Sequence, residues 1–417
     1  MNATGIRTTK HRERGSTLLT VSLGLIALIA MMGLAIDLVS LYVGRSEAQR
    51  AADAAALAGA TVFVNSGCTS TSAGCTGAKP AATSEAVSVG RTNLVGGATP
   101  NIPNGNVSFD FSHPGDPLIT VVVGAQMPTY FMKIFGFNSA NVQATATAEA
   151  FNPSGNATGP TFCVSCLKPF LVPNCDPSHT AKANPDCTGG STGNSGGYFI
   201  DAQGNIASPG VYPAGAIGEP WRLHTSGTPS HWYEAAFDCS QSGKNFQTDV
   251  ETCNNSAFNC GSSLCVLDGK KVGPNGKGVC SLIDYTSSNS QSCTSVDSIA
   301  VNAANTPPFT ITAGAGNPFF SNGSQITQSA SIVTVPVYSG ADIKSGGATV
   351  TIVGYLQLFI QGITHNTGDD FIDAIIMNVS SCGTGGGTCS AGGSGQGSHG
   401  TVSGGGAGFI PVRLVHP

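Results

Sequence analysis

The sequence predicts an α+β protein: a single N-terminal transmembrane helix extended into an Ala-rich stalk, then β-rich, disulfide-containing extracytoplasmic domains. Three observations predict it. An uncharged apolar run covers Gly15 to Ile36. All 14 cysteines fall after residue 67. Beyond the stalk, apolar residues recur in alternating or short continuous runs bounded by Gly, Pro and Asn, the pattern of strands.

Length and composition set the frame. A chain of 417 residues can build two or three compact units after its N-terminal segment. Only 10% of residues are charged while Gly reaches 56, which points to a loop-rich, β-rich protein with enough apolar content to fold. The net charge is −5, and the first fourteen residues hold four of the 18 Lys and Arg (Arg7, Lys10, Arg12, Arg14) against Glu13. The remainder is therefore acidic and lacks a basic stripe, which excludes nucleic acid as a partner.

Residues 1–14 read as a basic cytoplasmic segment and 15–43 as the transmembrane helix. The 22 uncharged residues from Gly15 to Ile36 suffice at about 1.5 Å each to cross a hydrocarbon core of about 30 Å. Lys and Arg crowd the N-terminal side, so the N-terminus is expected in the cytoplasm and the bulk outside. Asp37 ends the apolar run at the outer interface, within reach of headgroups and water. The apolar core is too long for a cleaved secretory signal. A prepilin-type site at Gly15-Ser16 lacks the expected glutamate, Thr20 standing in its place, so an uncleaved anchor is expected. A mature protein beginning at Ser16 would refute that.

Residues 44–66 continue as a helical stalk, since RSEAQRAADAAALAGA holds no Pro and no Gly before Gly59. Arg45, Gln49 and Asp53 recur on one face, and Ala48, Ala52, Ala56 and Ala60 form a small-residue stripe on another. That stripe suits packing against the chain's own domain or self-association between neighbouring subunits equally well.

Residues 67–155 read as a small α+β unit. Val107, Phe109 and Phe111 alternate with polar residues, HPGDP makes a turn, and Ile119 to Val123 forms the returning strand. TYFMKIFGF reads as a short helix, and Val142 to Ala150 alternates as a half-buried strand. Residues 156–300 form a Cys/Gly-rich loop region, expected as stapled surface that needs disulfides to order it. Residues 301–417 return to strands in SIVTVPVYSG, ATVTIVGYLQLFIQG, FIDAIIMNV and FIPVRLV, expected in one antiparallel sheet with a Gly-rich loop at 382–408.

The cysteines group as Cys68 and Cys75; Cys163, Cys166, Cys175 and Cys187; Cys239, Cys253, Cys260, Cys265, Cys280 and Cys293; and Cys382 and Cys389. Even groups on one side of a membrane segment fit local disulfides in an oxidising compartment. Cys163-x-x-Cys166 opens like a zinc site, but no second CxxC follows.

Catalytic motifs do not assemble. GPNGKG carries Gly276 and Lys277, yet Lys271 stands where a P-loop needs its first Gly and Gly278 replaces the hydroxyl residue, so a turn is expected. HExxH is absent, and no nucleophile elbow is expected. His224 and His231 near Trp221 and Trp232 offer a ligand or carbohydrate surface, with ordinary surface residues the simpler reading. His365, Asp369, Asp370 and Asp373 make an acidic loop that matches no EF-hand spacing.

The segment GLAIDLVSLYVGRSEAQRAADAAALAGA resembles the N-terminal signature of TadG-like (TadE/TadG-type) proteins of Flp, or tight-adherence, pilus assembly. The matching positions are Asp37, Tyr42, Arg45, Gln49, Asp53, Ala56, Leu57, Ala58, Gly59 and Ala60, and MPTYFMKIFGFNSANVQATATAEA resembles the family's next segment. Later resemblance, in VGPNGKGVCSLI, VTVPV and VTIVGYLQLFI, is looser. The resemblance implies a bacterial inner-membrane accessory of pilus assembly without catalysis or cofactor, whose partners are the membrane and pilus-assembly or envelope proteins. Some relatives carry a metal-dependent adhesion site, and Asp238, Ser240 and Ser242 fit its Asp-x-Ser-x-Ser outline. The alternating helices of such a domain are missing, and Cys239 sits inside the motif. The expected function is a membrane-anchored structural component, with an extracytoplasmic adhesin or ligand-binding module on a stalk as the alternative.

Overall fold

The structure, a computed structural model, describes residues 13–69, 75–112, 116–152, 163–164, 166–174, 199–200, 206, 211–212, 215–223, 235–236, 243–252, 258–259, 261–267, 272–286, 290–300, 307–339, 349–366, 369–382, 410 and 412–415. Its first element, α1 (Glu13–Asn65), is one unbroken helix of 53 residues, about 80 Å long at about 1.5 Å per residue. The two ends of α1 meet opposite surroundings. Toward the N-terminus large apolar side chains point outward, with Leu18 75%, Met31 69% and Leu38 67% exposed. Toward the C-terminus Ala48, Ala51, Ala52, Ala55, Ala56 and Ala60 are fully buried. The first part is long and apolar enough to cross a membrane.

The alanine-rich half is not a free-standing stalk; it is the core helix of the first unit. α2 (Lys79–Thr92) lies beside it, and β1 (Val107–Asp110), β2 (Leu118–Pro128) and β3 (Ser139–Ala150) form the sheet beneath. All neighbours are antiparallel, and the β2–β3 ladder runs without a register shift from Leu118↔Glu149 to Pro128↔Ser139. Alternation explains the packing: Ile119, Val121, Val123 and Met127 turn inward from β2, and Val142, Ala144, Ala146, Ala148 and Ala150 from β3. α1 ends in a Schellman turn, with Cys68 N donating to Phe63 O at 2.9 Å, Gly67 N to Val64 O at 3.2 Å, and Gly67 at φ +76°.

The second unit follows in short pieces. It comprises β4 (Cys163–Val164), β5 (Val172–Pro173), β6 (Pro220–Arg222), β7 (Ala235–Ala236), α3 (Gly243–Glu251), β8 (Phe258–Asn259), β9 (Ser263–Val266), α4 (Val272–Ile283), β10 (Ser298–Ala300), β11 (Thr310–Thr312) and β12 (Gln325–Ile326). The long strands β13 (Ile332–Ser339), β14 (Thr349–Asn366) and β15 (Asp369–Ser381) then pair antiparallel, and β16 (Val412–Val415) closes the series. The main sheet runs β5-β13-β14-β15-β6, with β9 also on β14 and β7 on β9. β14 is buried on both faces from Gly354 to Ile360. Leu356, Leu358 and Ile360 join the cluster with α3 and α4, whereas Tyr355 and Ile352 join the cluster that reaches the first unit.

Three expectations change. Residues 156–300 are more than stapled surface: Phe170, Val172, Trp221, Phe246, Val250, Val279 and Ile283 are buried in the second core, and β5, β6 and β9 enter the main sheet. The strands after residue 301 do not form one separate antiparallel sheet, because β5 pairs parallel with β13, and β16 leaves for the first unit, where Val412 to Val415 pairs with Ala150 to Thr147. GPNGKG is helical, not a turn, since it lies in α4, where Gly278 allows contact with α3: a methyl group there would come within 2.9 Å of Val250 Cβ.

A buried polar joint locks the units together at the end of α1. Asn378, fully buried on β15, donates through Nδ2 to Val64 O at 2.8 Å and to Gln357 Oε1, and accepts from Thr69 Oγ1 at 2.9 Å. Asn152 Nδ2 donates to Thr69 O at 2.8 Å, Asn65 Nδ2 to Thr327 O at 2.9 Å, and Phe309 N to Ser66 O at 3.0 Å. Such groups are costly to bury without partners, so their mutual satisfaction fixes one docking geometry.

Candidate membrane-proximal site

The signature residues of α1 gather where the helix leaves its exposed apolar section. Asp37 is only 1% exposed, and its carboxylate accepts three backbone N–H groups, from Tyr130 at 2.8 Å, Phe131 at 3.0 Å and Met132 at 2.7 Å. These belong to the turn that joins β2 to β3. The acidic side chain that ends the apolar run is thus an acceptor for a remote turn whose amides have no ladder partner of their own. The turn closes through Phe137 N donating to Met132 O at 3.2 Å, Gly136 at φ +90°, and Thr129 Oγ1 donating to Phe137 O. TYFMKIFGF, expected as a short helix, contains a single 3₁₀ turn at Met132–Phe135.

Three glycines of α1 set the register of the hairpin against the helix. A methyl group built on Gly59 would come within 2.3 Å of Ile119 Cδ1, on Gly44 within 2.8 Å of Met127 Sδ, and on Gly33 within 2.5 Å of the Phe131 ring. β2 therefore runs antiparallel to α1 at close range, so that its far end and the turn reach back along the apolar half of the helix. Only glycine permits such approach between helix and side chain.

The remaining signature residues divide by face. Gln49 Nε2 donates to Asp53 Oδ1 at 2.7 Å and to Thr145 O of β3 at 3.2 Å, so this pair ties the helix to the sheet. Ala56, Gly59 and Ala60 are buried, Leu57 and Ala58 half-buried, whereas Tyr42 and Arg45 are exposed. Glu47, outside the expected set, accepts from Gly96 N at 2.7 Å. Sequence reasoning also missed Gly33, Gly44 and the amides of 130–132. The recurrence of small residues at 33, 37, 44, 48, 52, 56 and 59 to 60, with only Asp37 polar among them, is the signal that marks this face.

Of the other candidate residues, Trp221 and Asp373 line one open groove with Arg222, whereas His365 and Asp370 pair with each other. Asp370 is fully buried and pairs with His365 Nδ1 at 2.5 Å across the β14–β15 ladder, while Asp373 pairs with Arg222 at 2.7 Å on a different strand. Trp221 is buried edge-to-face on Phe199, with centroids 5.3 Å apart, so its ring is spent in the core. Asp238, Ser240, Ser242, His224, His231, Trp232, Cys175, Cys187, Cys239, Cys253, Cys260 and Cys389 lie outside the described residues, as do the side chains of Asp369, Cys75 and Cys163. Cys280 and Cys293 form a disulfide, and Cys166, Cys265 and Cys382 are disulfide-bonded as well. Cys68, expected in a bridge, is instead a buried thiol in the Schellman turn, 3.5 Å from the Ser66 hydroxyl.

Comparison with known families agrees with this geometry. The Flp pilus-assembly TadE/G-like family, Tad, matches residues 15–62, and the Tad-like Flp pilus-assembly family Tad_C matches residues 40–148. No curated protein and no solved structure matches the chain. The matched residues are most of α1, α2 and the strands β1 to β3, and over this part the chain is similar to the TadE/G-like Flp pilus-assembly proteins.

Proposed function

We propose that the chain is a non-enzymatic, membrane-anchored structural component of Flp pilus assembly, held in a bacterial inner membrane by one pass of α1, with residues 1–14 cytoplasmic and the two folded units outside. The observation that carries this reading is the division of α1. Its apolar half exposes Leu, Ile, Met and Val along some 26 residues from Leu18 to Val43, while its alanine half is built into the core. Exposed apolar surface of that extent calls for a lipid environment. Continuity of the helix makes the anchor and the domain one rigid element, suited to holding an envelope component at a fixed height above the bilayer.

The bridges at Cys280–Cys293, Cys166, Cys265 and Cys382 support an oxidising compartment for the bulk of the chain. The use of His365, Asp370, Asp373 and Trp221 in ion pairs and core contacts of the fold supports a scaffold role over an adhesin or ligand-binding module. Deletion of the gene is expected to abolish assembled pili or surface attachment, and complementation with Asp37→Ala to restore them poorly. Normal piliation in the deletion strain would refute the assembly role.

A further inference from the structure

We propose that the turn from Tyr130 to Phe137 is a second membrane contact, seated in the outer leaflet beside α1; this rests on the reading of α1 as a membrane anchor given above. Depth is the first argument. Gly33, which receives the Phe131 ring, lies 18 residues after Gly15, about 27 Å along the helix, inside a hydrocarbon core of about 30 Å that begins near Gly15. A side chain packed on Gly33 is at the depth of the outer acyl region, and the turn that carries it cannot be far above.

The second argument is the surface of the turn. Ile134 is 79% exposed, Phe135 75%, Tyr130 61% and Phe137 59%. This patch is continuous with the exposed belt of Leu34, Ile36 and Leu38 on α1. Aromatic residues with one lysine, Lys133, able to extend its amine toward headgroups, are the composition of a membrane–water interface. Polar groups are the third argument. Backbone amides at the edge of the hydrocarbon core find little water to bond, and the Asp37 carboxylate supplies an acceptor for three of them while the turn covers the carboxylate. A groove of about 560 Å³ between Leu38, Val39, Tyr42 and the β3 residues Asn141 to Gln143 leads outward from the turn to Arg45, beyond the hydrocarbon core.

The test uses the full-length chain in phosphatidylcholine vesicles whose acyl chains are brominated at mid-chain, with the emission of Trp221 and Trp232 subtracted. Phe135→Trp and Leu28→Trp replace exposed side chains, so neither disturbs the fold. Both are expected to lose emission to the bromines to a similar extent, with aqueous iodide quenching neither. Quenching of Leu28→Trp by bromine but of Phe135→Trp by iodide would overturn the proposal and leave the anchor standing. Protection of Phe135→Trp from both quenchers, in a chain that sediments as an oligomer, would put a second copy on the turn and overturn it as well. Failure of Leu28→Trp to be quenched would remove the anchor and the proposal together.

Discussion

The first unit buries six alanines and three close-packed glycines of α1 against a regular four-stranded sheet, whereas the second buries Phe, Trp, Ile and Tyr around an 18-residue strand fed by pieces two to four residues long. In the first, small residues let a helix and a sheet approach closely, and apart from β16 its elements are near one another in sequence. In the second, large side chains fill a core assembled from distant segments, and bridges hold the pieces that are too short to nucleate alone. Short pieces gain little from their own hydrogen bonds and must offset their ordering entropy elsewhere.

The largest expected asymmetry follows from the bridge between α4 and the segment after it. Replacing Cys280 and Cys293 together by Ser frees a loop of separation 13 and is expected to cost the second unit about 2–5 kcal/mol. Hydrogen exchange should quicken along β14 and β15 and change little along β2 and β3. Equal quickening in both ladders would show that the units share one cooperative core.

Next in size is Asp37→Ala. It strips three backbone N–H groups of their acceptor, at on the order of 3 kcal/mol in total, and the effect should stay in the turn. Exchange at Tyr130, Phe131 and Met132 is the readout, and Asp37→Asn, which keeps one carbonyl acceptor, should fall between. Unchanged exchange in Asp37→Ala would contradict the assigned role.

Gly59→Ala comes third. The new methyl meets Ile119 Cδ1 at 2.3 Å, so overpacking of about 1–3 kcal/mol outweighs the helix propensity gain of about 1 kcal/mol. A rise in thermal midpoint would mean that Ile119 rotates away at no cost.

The effect that is smallest per step measured is a pH slope in the second unit. Lys168 is buried, donates to Val250 O at 2.8 Å and Thr252 O at 2.6 Å, and is pushed down from 10.5 to about 8 by burial, against the pull of Asp249. With the folded value below the unfolded one, the unfolded chain holds more protons between about pH 8 and 10.5. The stability from this group is therefore full above that window and lost as pH falls through about 8. Wild type should gain stability relative to Lys168→Met across the window, by at most about 1.4 kcal/mol per pH unit. A flat difference would place the amine in a wetter site.

How much of this was readable in the sequence follows the same division. The apolar run, the alanine stripe and the alternation in Val107 to Phe111 and Val142 to Ala150 are periodic and local, and they led to α1, β1 and β3. α2 was not anticipated, because KPAATSEAVSVGRT is weakly amphipathic, with Gly90 and two β-branched valines inside it. In the second unit β14 and β15 were evident as long apolar runs, but the partners of their edges were not. Strands of two or three residues such as β5 and β6 carry no period, and pairing between Val172 and Val337 or between Val412 and Ala150 is set by tertiary contacts alone. At the candidate site, Asp37 stood out as an acid ending an apolar run, yet its partners lie 93 to 95 residues away and bond through backbone, which no side-chain pattern announces.

The central claim is that α1 is at once the membrane anchor and the core helix of an extracytoplasmic domain. Alkaline carbonate extraction of membranes, combined with protease added to spheroplasts, tests it most directly. The account predicts that the full chain stays in the membrane pellet and that external protease removes the mass beyond residue 65 while sparing the N-terminal segment. Release of the chain by carbonate, or protection of its folded units from external protease, would contradict it.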